Sequence, residues 1–428
     1  MWHYTTQWIS HIVRTSSIEY GWSDRTARHA CSAFTAMAVR SVLPSHMKSF
    51  AAPQTSSAVC FHCGGFVTTT KKKNSPECQT NLPTLKPATQ LHTGQLCCTD
   101  SSADDVRGGP PWRVMFFGSD NFSISSLKAL HRNREEGKLI DILHIVCPET
   151  KYIKRRGRTR VISPIWQYCH DNGLTTIPWP IRGEVRGYDV GVLSSFGHLV
   201  PGSLIDSFPY GIANIHPSLL PRWRGASPIN HAILEGDNTT GVSIMRIMAK
   251  RFDVGPILLQ ESVEIPERST TESLQEILAS KGADMILQVL ADLPTFIAKS
   301  RKQTDEGVTL CGKIVASMSL INWNKSCSEI DRLHRAIGHQ FPLETSWRGS
   351  QIRLSQMADP KDTAAWDIDV IDPALGEVCY NKANQQICVR CKDGWVSFRE
   401  VTLKKKMTAQ DFYNGYMSGQ DRGRQYFV

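Results

Sequence analysis

The stretch "RVMFFGSDNFSISSLKAL", Arg113 to Leu130, decides the fold. Its opening run, Val114 to Phe117, is wholly apolar, which is typical of a strand buried on both faces. After a glycine turn, apolar residues recur at helical spacing, at Phe122, Ile124, Leu127 and Leu130. A buried strand that leads through glycine into an amphipathic helix predicts the first unit of a parallel α/β sheet.

The same alternation continues along the chain. "IDILHIVCP", "DVGVLSSFG" and "GIANIH" are further apolar strands, and "SPIWQYCHDNG" is a helix that ends near Gly173. A short strand, "GVSIMRI", and a helical stretch from Thr271 to Lys299 complete the domain. This pattern predicts a parallel, Rossmann-like sheet with helices on both faces, whose ligand site lies at the carboxyl ends of the strands.

The pattern changes after the polar segment "KSRKQTDEGVTLCGK". A helix near Ser328 to Gly338 is followed by short alternating segments, "SQIRLSQM", "GEVCYN", "QQICVRCK" and "GWVSFREVTL", which predict a small β-barrel or sandwich. The predicted domains are an N-terminal extension (1–110), an α/β domain (111–298), a basic linker (299–318) and a C-terminal β-domain (319–428).

The N-terminal extension has the composition of an organellar transit peptide. It is rich in serine, and from Arg25 to Pro76 it contains basic residues but no aspartate or glutamate. A disordered tail, or upstream sequence preceding a true start at Met37 or Met47, is the alternative. The cleavage site cannot be located from this composition.

Cysteine usage and hydropathy exclude two classes of protein. Thirteen cysteines at irregular positions favour reduced thiols over a secreted disulfide framework. The pairs "CFHC" and "CVRC" lack the second close pair that a four-ligand zinc site needs, so no metal is predicted, and "CVRC" is better interpreted as part of a strand. No apolar run approaches the length of a membrane span.

The chemistry-bearing residues cluster around "NIHPSLLPRWRGASPI", Asn214 to Ile229. No dinucleotide fingerprint, Walker A loop, nucleophile elbow or zinc-protease motif is present in the sequence. Asn214 and His216 lie two apart, on one face of an extended chain, and Asp253 follows in "RFDVGPIL". An amide, an imidazole and a carboxylate together can stabilise an oxyanion and move a proton. Taken singly, a structural histidine and a turn-forming aspartate explain the same residues.

Several ordered motifs resemble the folate-dependent formyltransferases, in particular the branch that acts on methionyl-tRNA in mitochondria. They include "FFGSDNF", "DVGVLSSFGHLVP", "ANIHPSLLPRWRGASPINHAILEGDNTTGVSIMRI", "RFDVGPILLQ" and "DGWVSFREVTLKKKMTAQDFYNG", and they extend from Arg113 to about Met417. The resemblance implies transfer of a formyl group from 10-formyltetrahydrofolate to the α-amino group of methionine on initiator tRNA, without a metal. It also implies that the C-terminal domain is an OB-like barrel.

Carried over by motif, Asn214, His216 and Asp253 form the catalytic trio. The resemblance implies that "SLLP", namely Ser218, Leu219, Leu220 and Pro221, covers the folate, and that Arg222, Trp223 and Arg224 lie where the substrate approaches. Trp223 is equally compatible with a place in the core. The chain departs from many bacterial members at Pro217 and in "DVGP", which leaves the shape of the loop and the surroundings of Asp253 open.

Basic residues cluster where the resemblance implies contact with the acceptor stem of tRNA. The segment "KYIKRRGRTR" between a strand and a helix holds Lys151, Lys154, Arg155, Arg156, Arg158 and Arg160, without an acid. A solvated loop is the alternative. The linker, Arg348 and a knot of Lys404, Lys405 and Lys406 would follow the phosphate backbone from the second domain.

Other functions compete with this interpretation. A non-catalytic RNA-binding protein would use the same basic surfaces, and a small-molecule formyltransferase or a 10-formyltetrahydrofolate hydrolase would share the trio. The basic segment and the C-terminal domain favour the tRNA substrate. We therefore expect a monomeric mitochondrial matrix enzyme that binds folate and initiator methionyl-tRNA, and no membrane.

Overall fold

The computed structural model describes residues 106–148, 162–419 and 423–428, together with the backbone of strands at 96–97, 151–154 and 158–161. The predicted transit peptide, the alternative starts and "CFHC" lie outside the described residues.

In chain order the strands are β1 (Leu96–Cys97), β2 (Trp112–Gly118), β3 (Ile140–Pro148), β4 (Lys151–Lys154), β5 (Arg158–Val161), β6 (Thr176–Trp179), β7 (Val185–Arg186), β8 (Val190–Ser194), β9 (Ile212–His216), β10 (Arg224–Gly225), β11 (Thr239–Arg246), β12 (Ile257–Glu264), β13 (Leu310–Cys311), β14 (Leu343–Trp347), β15 (Ser350–Met357), β16 (Val378–Asn381), β17 (Gln386–Arg390), β18 (Trp395–Thr402) and β19 (Lys406–Thr408). The α-helices are α1 (Asn121–Glu135), α2 (Pro164–Asp171), α3 (Gly202–Ile205), α4 (Pro228–Glu235), α5 (Thr271–Ala291), α6 (Leu293–Ala298), α7 (Cys327–Ile337), α8 (Pro360–Ala364) and α9 (Ala409–Phe412). A 3₁₀ turn (Ala316–Ser319) and a π-helical turn (Tyr413–Met417) complete the elements.

The first domain is built on a seven-stranded sheet with the order β12-β11-β9-β8-β2-β3-β6. Strands β6, β3, β2, β8 and β9, which are neighbours in this order, are parallel to one another, as predicted. Strand β11 pairs antiparallel with both of its neighbours. Because β2 lies between β3 and β8, the chain turns in opposite directions on its two sides. In such a sheet a crevice opens at the carboxyl ends of these central strands.

The two faces of the sheet are covered differently. Val114 and Phe116 of β2 belong to a core shared with helices α1, α2, α4 and α5. Met115 and Phe117, which point to the other face, pack against Phe196 and Phe208. In the described part of the chain, this second face carries loops and the single helical turn α3. The prediction of helices on both faces is therefore confirmed in full for the first face, and for the second face only by this one turn.

The second domain is an antiparallel sheet in the order β14-β15-β18-β17-β16, with β19 also paired to β18. The end of the chain bridges its two edges. The amide of Ser346 in β14 donates to Val428 (2.8 Å), and the amide of Val378 in β16 donates to Gln425 (2.8 Å). The C-terminal residues therefore close the sheet into a barrel.

Helix α7 connects the two domains. Its Arg332 donates to the carbonyl of Leu234 (3.0 Å), and its Ala336 carbonyl accepts from Asn230 (2.8 Å) and Thr271 (2.7 Å). Among the described helices, none combines the length and hydropathy needed to cross a bilayer.

Candidate active site

A cavity of about 960 Å³ opens at the carboxyl ends of the central strands. The residues that follow β2 and β8, including Asp120 and Ser195, line one side, and the end of β9 lines the other. This volume is within the range of roughly 300–1,000 Å³ that is usual for small-molecule sites. The topology thus places the cavity in the crevice expected for a ligand.

The three predicted catalytic residues meet in this cavity. Asn214 and His216 are both buried at the end of β9, and their side chains face the same carboxylate. Asn214 Nδ2 lies 3.5 Å from Asp253 Oδ1, and His216 Nδ1 lies 3.6 Å from the same oxygen. The second oxygen, Oδ2, accepts the amide hydrogen of Gly225 (3.0 Å). An amide donor, an imidazole and an anchored carboxylate therefore converge.

The proton on His216 can be assigned from its second contact. Nε2 lies 2.9 Å from the carbonyl oxygen of Trp223, which only accepts hydrogen bonds, so Nε2 carries the proton. In the neutral ring Nδ1 is then the basic nitrogen, and it faces Asp253. A proton that arrives on Nδ1 is stabilised by the carboxylate.

Asp253 is held by its own turn and by the linker. Its φ of 53° lies in the left-handed region, and a Cβ on Gly255 would lie 1.7 Å from the carbonyl oxygen of Arg246, so the turn requires glycine. Gln303 donates through Nε2 to the carbonyls of Asp253 (2.9 Å) and Gly255 (2.8 Å). The segment between the domains is therefore part of the site.

The "SLLP" segment is tied to the sheet. The Ser243 hydroxyl donates to the carbonyl of Ser218 (2.6 Å) and accepts from the amide of Leu220 (3.1 Å). Leu220 packs against Met245 and Ile257. Pro217 lines the cavity, whereas the described side chains from Ser218 to Pro221 are not among its lining. Contact between this segment and folate stays a prediction.

Arg222 and Trp223, the two residues after "SLLP", both donate hydrogen bonds to the carboxylate of Asp237. Arg222 makes a bidentate ion pair with this carboxylate, at 2.9 Å from Nε and 2.5 Å from Nη2. Its guanidinium also lies 4.2 Å from the Trp223 ring. Trp223 is 6% exposed and donates to Asp237 (2.8 Å). The core alternative for Trp223 is therefore the one that the structure adopts.

The basic segment begins and ends at the cavity. Pro148 on one side and Ile162, Ser163 and Pro164 on the other line it, and the backbone between them forms the antiparallel pair β4–β5. Lys151, Lys154, Arg158 and Arg160 lie on these strands, but their side chains, and the whole of Arg155 and Arg156, lie outside the described residues.

The predicted lysine knot lies on the other domain, at the turn from β18 to β19. Lys406 pairs with Glu400 (2.7 Å), while Lys404 and Lys405 are exposed. Arg348 lies over the Trp347 ring, 5.1 Å from its centroid. Binding of tRNA at these positions stays a prediction.

Sequence reasoning missed four polar residues of the cavity and its support. Asp120 caps helix α1 by accepting from the amide of Phe122 (3.0 Å), and its other oxygen accepts from the Ser195 hydroxyl (2.5 Å). Lys313, a residue of the linker, lines the cavity. Gln303 donates a hydrogen bond to the carbonyl of Asp253 and so supports the turn that carries this carboxylate. The only available signal was the "FFGSDNF" motif, because linker residues follow no periodicity.

Comparison with known proteins identifies the family of the chain. Residues 112–290 match the family model described as formyl transferase, and residues 313–417 match its C-terminal domain. The mitochondrial methionyl-tRNA formyltransferase of Homo sapiens is 46% identical over 75% of this chain and 81% of its own. The methionyl-tRNA formyltransferase of Methylococcus capsulatus is 32% identical over 71% of this chain and 97% of its own.

Among solved structures, an N-formyltransferase from Helicobacter canadensis superposes with a TM-score of 0.47 and 17% identity, covering 69% of this chain and all of its own (100%). The sequence relatives are much closer, and they cover both domains. The chain belongs to the formyl transferase family, in the branch of the mitochondrial methionyl-tRNA formyltransferases.

Proposed function

We propose that this enzyme transfers the formyl group of 10-formyltetrahydrofolate to the α-amino group of methionyl-initiator tRNA in the mitochondrial matrix, and that it acts as a monomer. The observation that carries the proposal is the convergence of Asn214, His216 and Asp253 in the crevice of the sheet. The names and the coverage of the relatives supply the substrates.

The residues of the site account for each step of acyl transfer. As the amine attacks the formyl carbon, the Asn214 amide donates to the oxygen on which negative charge develops. His216 takes the proton of the amine at Nδ1, and Asp253 stabilises the resulting imidazolium. The protonated Nδ1 can then donate to the oxyanion or return the proton to the departing nitrogen of the folate.

The volume and lining of the cavity fit a bulky donor. At about 960 Å³ it can hold a pterin ring and the attached aryl group, and apolar side chains such as Phe196, Leu199 and Ile229 line it beside the polar trio. Lys313 and Arg251 add positive charge to the same lining, which favours anionic groups on either substrate.

The test is formyl transfer by the full chain and by His216→Ala, with methionyl-initiator tRNA and with elongator methionyl-tRNA. Loss of an acid–base or oxyanion group should lower kcat by roughly 10² to 10⁴-fold. His170→Ala is the matched control, because this exposed imidazole lies in the last turn of helix α2 and does not line the cavity. If neither tRNA is formylated while the folate is deformylated, the substrate assignment is wrong and the folate assignment stands.

A further inference from the structure

Cys327, the first residue of helix α7, meets Cys391 and Asp393 from a distant turn of the chain. Cys327 Sγ lies 3.2 Å from Cys391 Sγ, and Cys391 Sγ lies 3.9 Å from Asp393 Oδ1. The three ligand atoms lie within 4.8 Å of one another. The sequence pairs Cys391 with Cys388 in "CVRC", but the fold brings Cys391 to Cys327 instead.

The surroundings hold this cluster in place. Asp393 accepts the amide hydrogen of Cys327 through Oδ1 (2.7 Å), which fixes the carboxylate at the N-terminus of helix α7. Cys391 is fully buried, whereas Asp393 is exposed, so one side of the cluster is open to water. A Cβ on Gly394 would lie 2.9 Å from Cys327 Sγ, so the turn leaves room for the sulfur only because residue 394 is glycine.

The spacing of these atoms matches the ligands of a thiophilic divalent cation. A tetrahedral zinc ion with bonds of about 2.3 Å to sulfur and 2.0–2.2 Å to oxygen requires ligand atoms roughly 3.5 to 3.8 Å apart. To admit the ion, the two sulfur atoms, 3.2 Å apart, would have to separate by about 0.6 Å, and the 3.9 Å between Cys391 Sγ and Asp393 Oδ1 would have to shorten by about 0.3 Å. Water from the open side would supply the fourth ligand.

We propose that Cys327, Cys391 and Asp393 bind a zinc ion that fastens helix α7 to the barrel. Through its ligands, the zinc ion would link the first turn of α7 to the turn between β17 and β18. Because α7 also contacts α4 and α5 of the first domain, the ion would stabilise the helix through which the domains meet. The role is structural and is independent of the proposed function.

The chain offers a matched control in a second cysteine pair. Cys379 and Cys388 lie directly opposite each other on β16 and β17. Within the described residues, however, the only group of three or more possible ligands is the one at Cys327. A thiol pair without a third ligand should not hold zinc comparably.

The experiment titrates the reduced, chelator-treated full chain with Zn²⁺ and compares variants. The parent and Cys379→Ser should bind one more tight Zn²⁺ than Cys327→Ser or Cys391→Ser, and Asp393→Asn should bind it at least roughly tenfold more weakly. The Tm of the parent and of Cys379→Ser should rise with Zn²⁺ more than that of the two site variants. Equal stoichiometry and equal Tm shifts in the parent, Cys379→Ser, Cys327→Ser and Cys391→Ser would overturn the proposal.

A second measurement needs no variant and therefore covers the case in which a substitution prevents folding. Alkylation of the parent is followed residue by residue by mass spectrometry, with and without Zn²⁺. Bound zinc should slow modification of Cys327 and Cys391 and leave Cys379 unchanged. Unchanged rates at Cys327 and Cys391, or their recovery as a disulfide from the chain under the reducing conditions of the titration, would overturn the zinc site.

Discussion

The side chain of Gln303 is 9% exposed and lies beneath the turn that carries Asp253. Its Nε2 donates to two carbonyls of that turn, while its Oε1 accepts from Arg224 (2.8 and 3.0 Å). Each such bond contributes only about 1 kcal/mol to stability, but leaving a buried acceptor unpaired costs about 1–3 kcal/mol. The turn will therefore shift when this amide is removed.

Gln303→Ala should lower kcat by roughly 10 to 100-fold, because displacement of a catalytic group by about 1 Å costs this much. The KM for the folate should change by less than kcat, since Gln303 supports Asp253 and does not line the cavity. Steady-state kinetics measures both. Gln351→Ala is the control, because this exposed amide pairs with Glu344 on the barrel and should leave kcat unchanged. A Tm loss in Gln303→Ala with parental kcat would show that the residue is merely structural.

At the scale of single residues, the sequence predicts the trio of Asn214, His216 and Asp253 but not the linker residues that surround it. Asn214 and His216 are two apart on a strand, so their common side follows from the period of a β-strand. Asp253 was carried over by motif. Gln303 and Lys313 come from a polar segment without periodicity, and their place depends on how the linker returns to the sheet. Local patterns do not contain that information.

Between elements, one buried and one partly buried polar pair connect the central strands to the segment before β8. Arg113 at the start of β2 pairs with Asp189 before β8 (2.6 Å), with both side chains almost fully buried. His144 of β3 contacts the hydroxyl of Tyr188 through Nδ1 (2.6 Å). Burial, assisted by the positive charge of Arg134, lowers the pKa of His144 below its ordinary value of 6.5.

The lowered pKa of His144 predicts a pH dependence of stability. In the unfolded chain this imidazole takes up a proton near pH 6.5, whereas in the folded protein it stays neutral to lower pH, so the unfolded state binds more protons in that window. Stability contributed by His144 is therefore present above pH 6.5 and is lost as the pH falls below it. The free energy of unfolding of the parent relative to His144→Gln should decrease from pH 7.5 to pH 5.5 in urea titrations.

Tyr188→Phe is the control for this prediction, because it removes the hydroxyl partner and leaves the imidazole. The difference between His144→Gln and the parent should keep its pH dependence in the Tyr188→Phe background. A difference that is constant with pH would mean that His144 is equally protonated in the folded and unfolded chains.

Element by element, periodicity predicted most of the fold. The helix expected near Ser328 to Gly338 is found at Cys327–Ile337, and the strand read into "QQICVRCK" is found at Gln386–Arg390. The helical stretch from Thr271 breaks into α5 and α6 around Asp292, which is not helical (φ −145°) and precedes Pro294. The antiparallel direction of β11 was not predicted, because an apolar run has the same appearance in either direction.

At the scale of the whole molecule, the residues that flank the basic segment and a residue of the linker line the same cavity. The linker strand β13 pairs with β10, directly after Trp223, and the Cys311 thiol lies 3.1 Å from the carbonyl of Trp223. That carbonyl is also the partner of His216. The linker is therefore a structural part of the site, and its Lys313 lines the cavity.

The net charge of +9 then matters through its distribution. The stretch from residue 151 to residue 161 contains no acid, and the chain on either side of it, at Pro148 and Ile162, lines the cavity, so we expect an anionic RNA that enters the site to contact it. Neutralising Arg155, Arg156 and Arg158 to glutamine should weaken tRNA binding at low salt and reduce the slope of log K against log salt by up to roughly one per residue. Folate binding should survive, because the residues that line the cavity in the described part of the chain are all unchanged.

The control removes the same charge from helix α1 and the turn that follows it, with Lys128, Arg132 and Lys138 changed to glutamine. Helix α1 begins at the cavity edge with the Asp120 cap, and none of the three side chains is among the residues that line the cavity. If both triple variants change the salt slope equally, binding depends on net charge alone. If only the Arg155 triple variant changes it, while formyl transfer to a saturating initiator tRNA stays within a few fold of the parent, this segment recognises the RNA and the trio performs the chemistry.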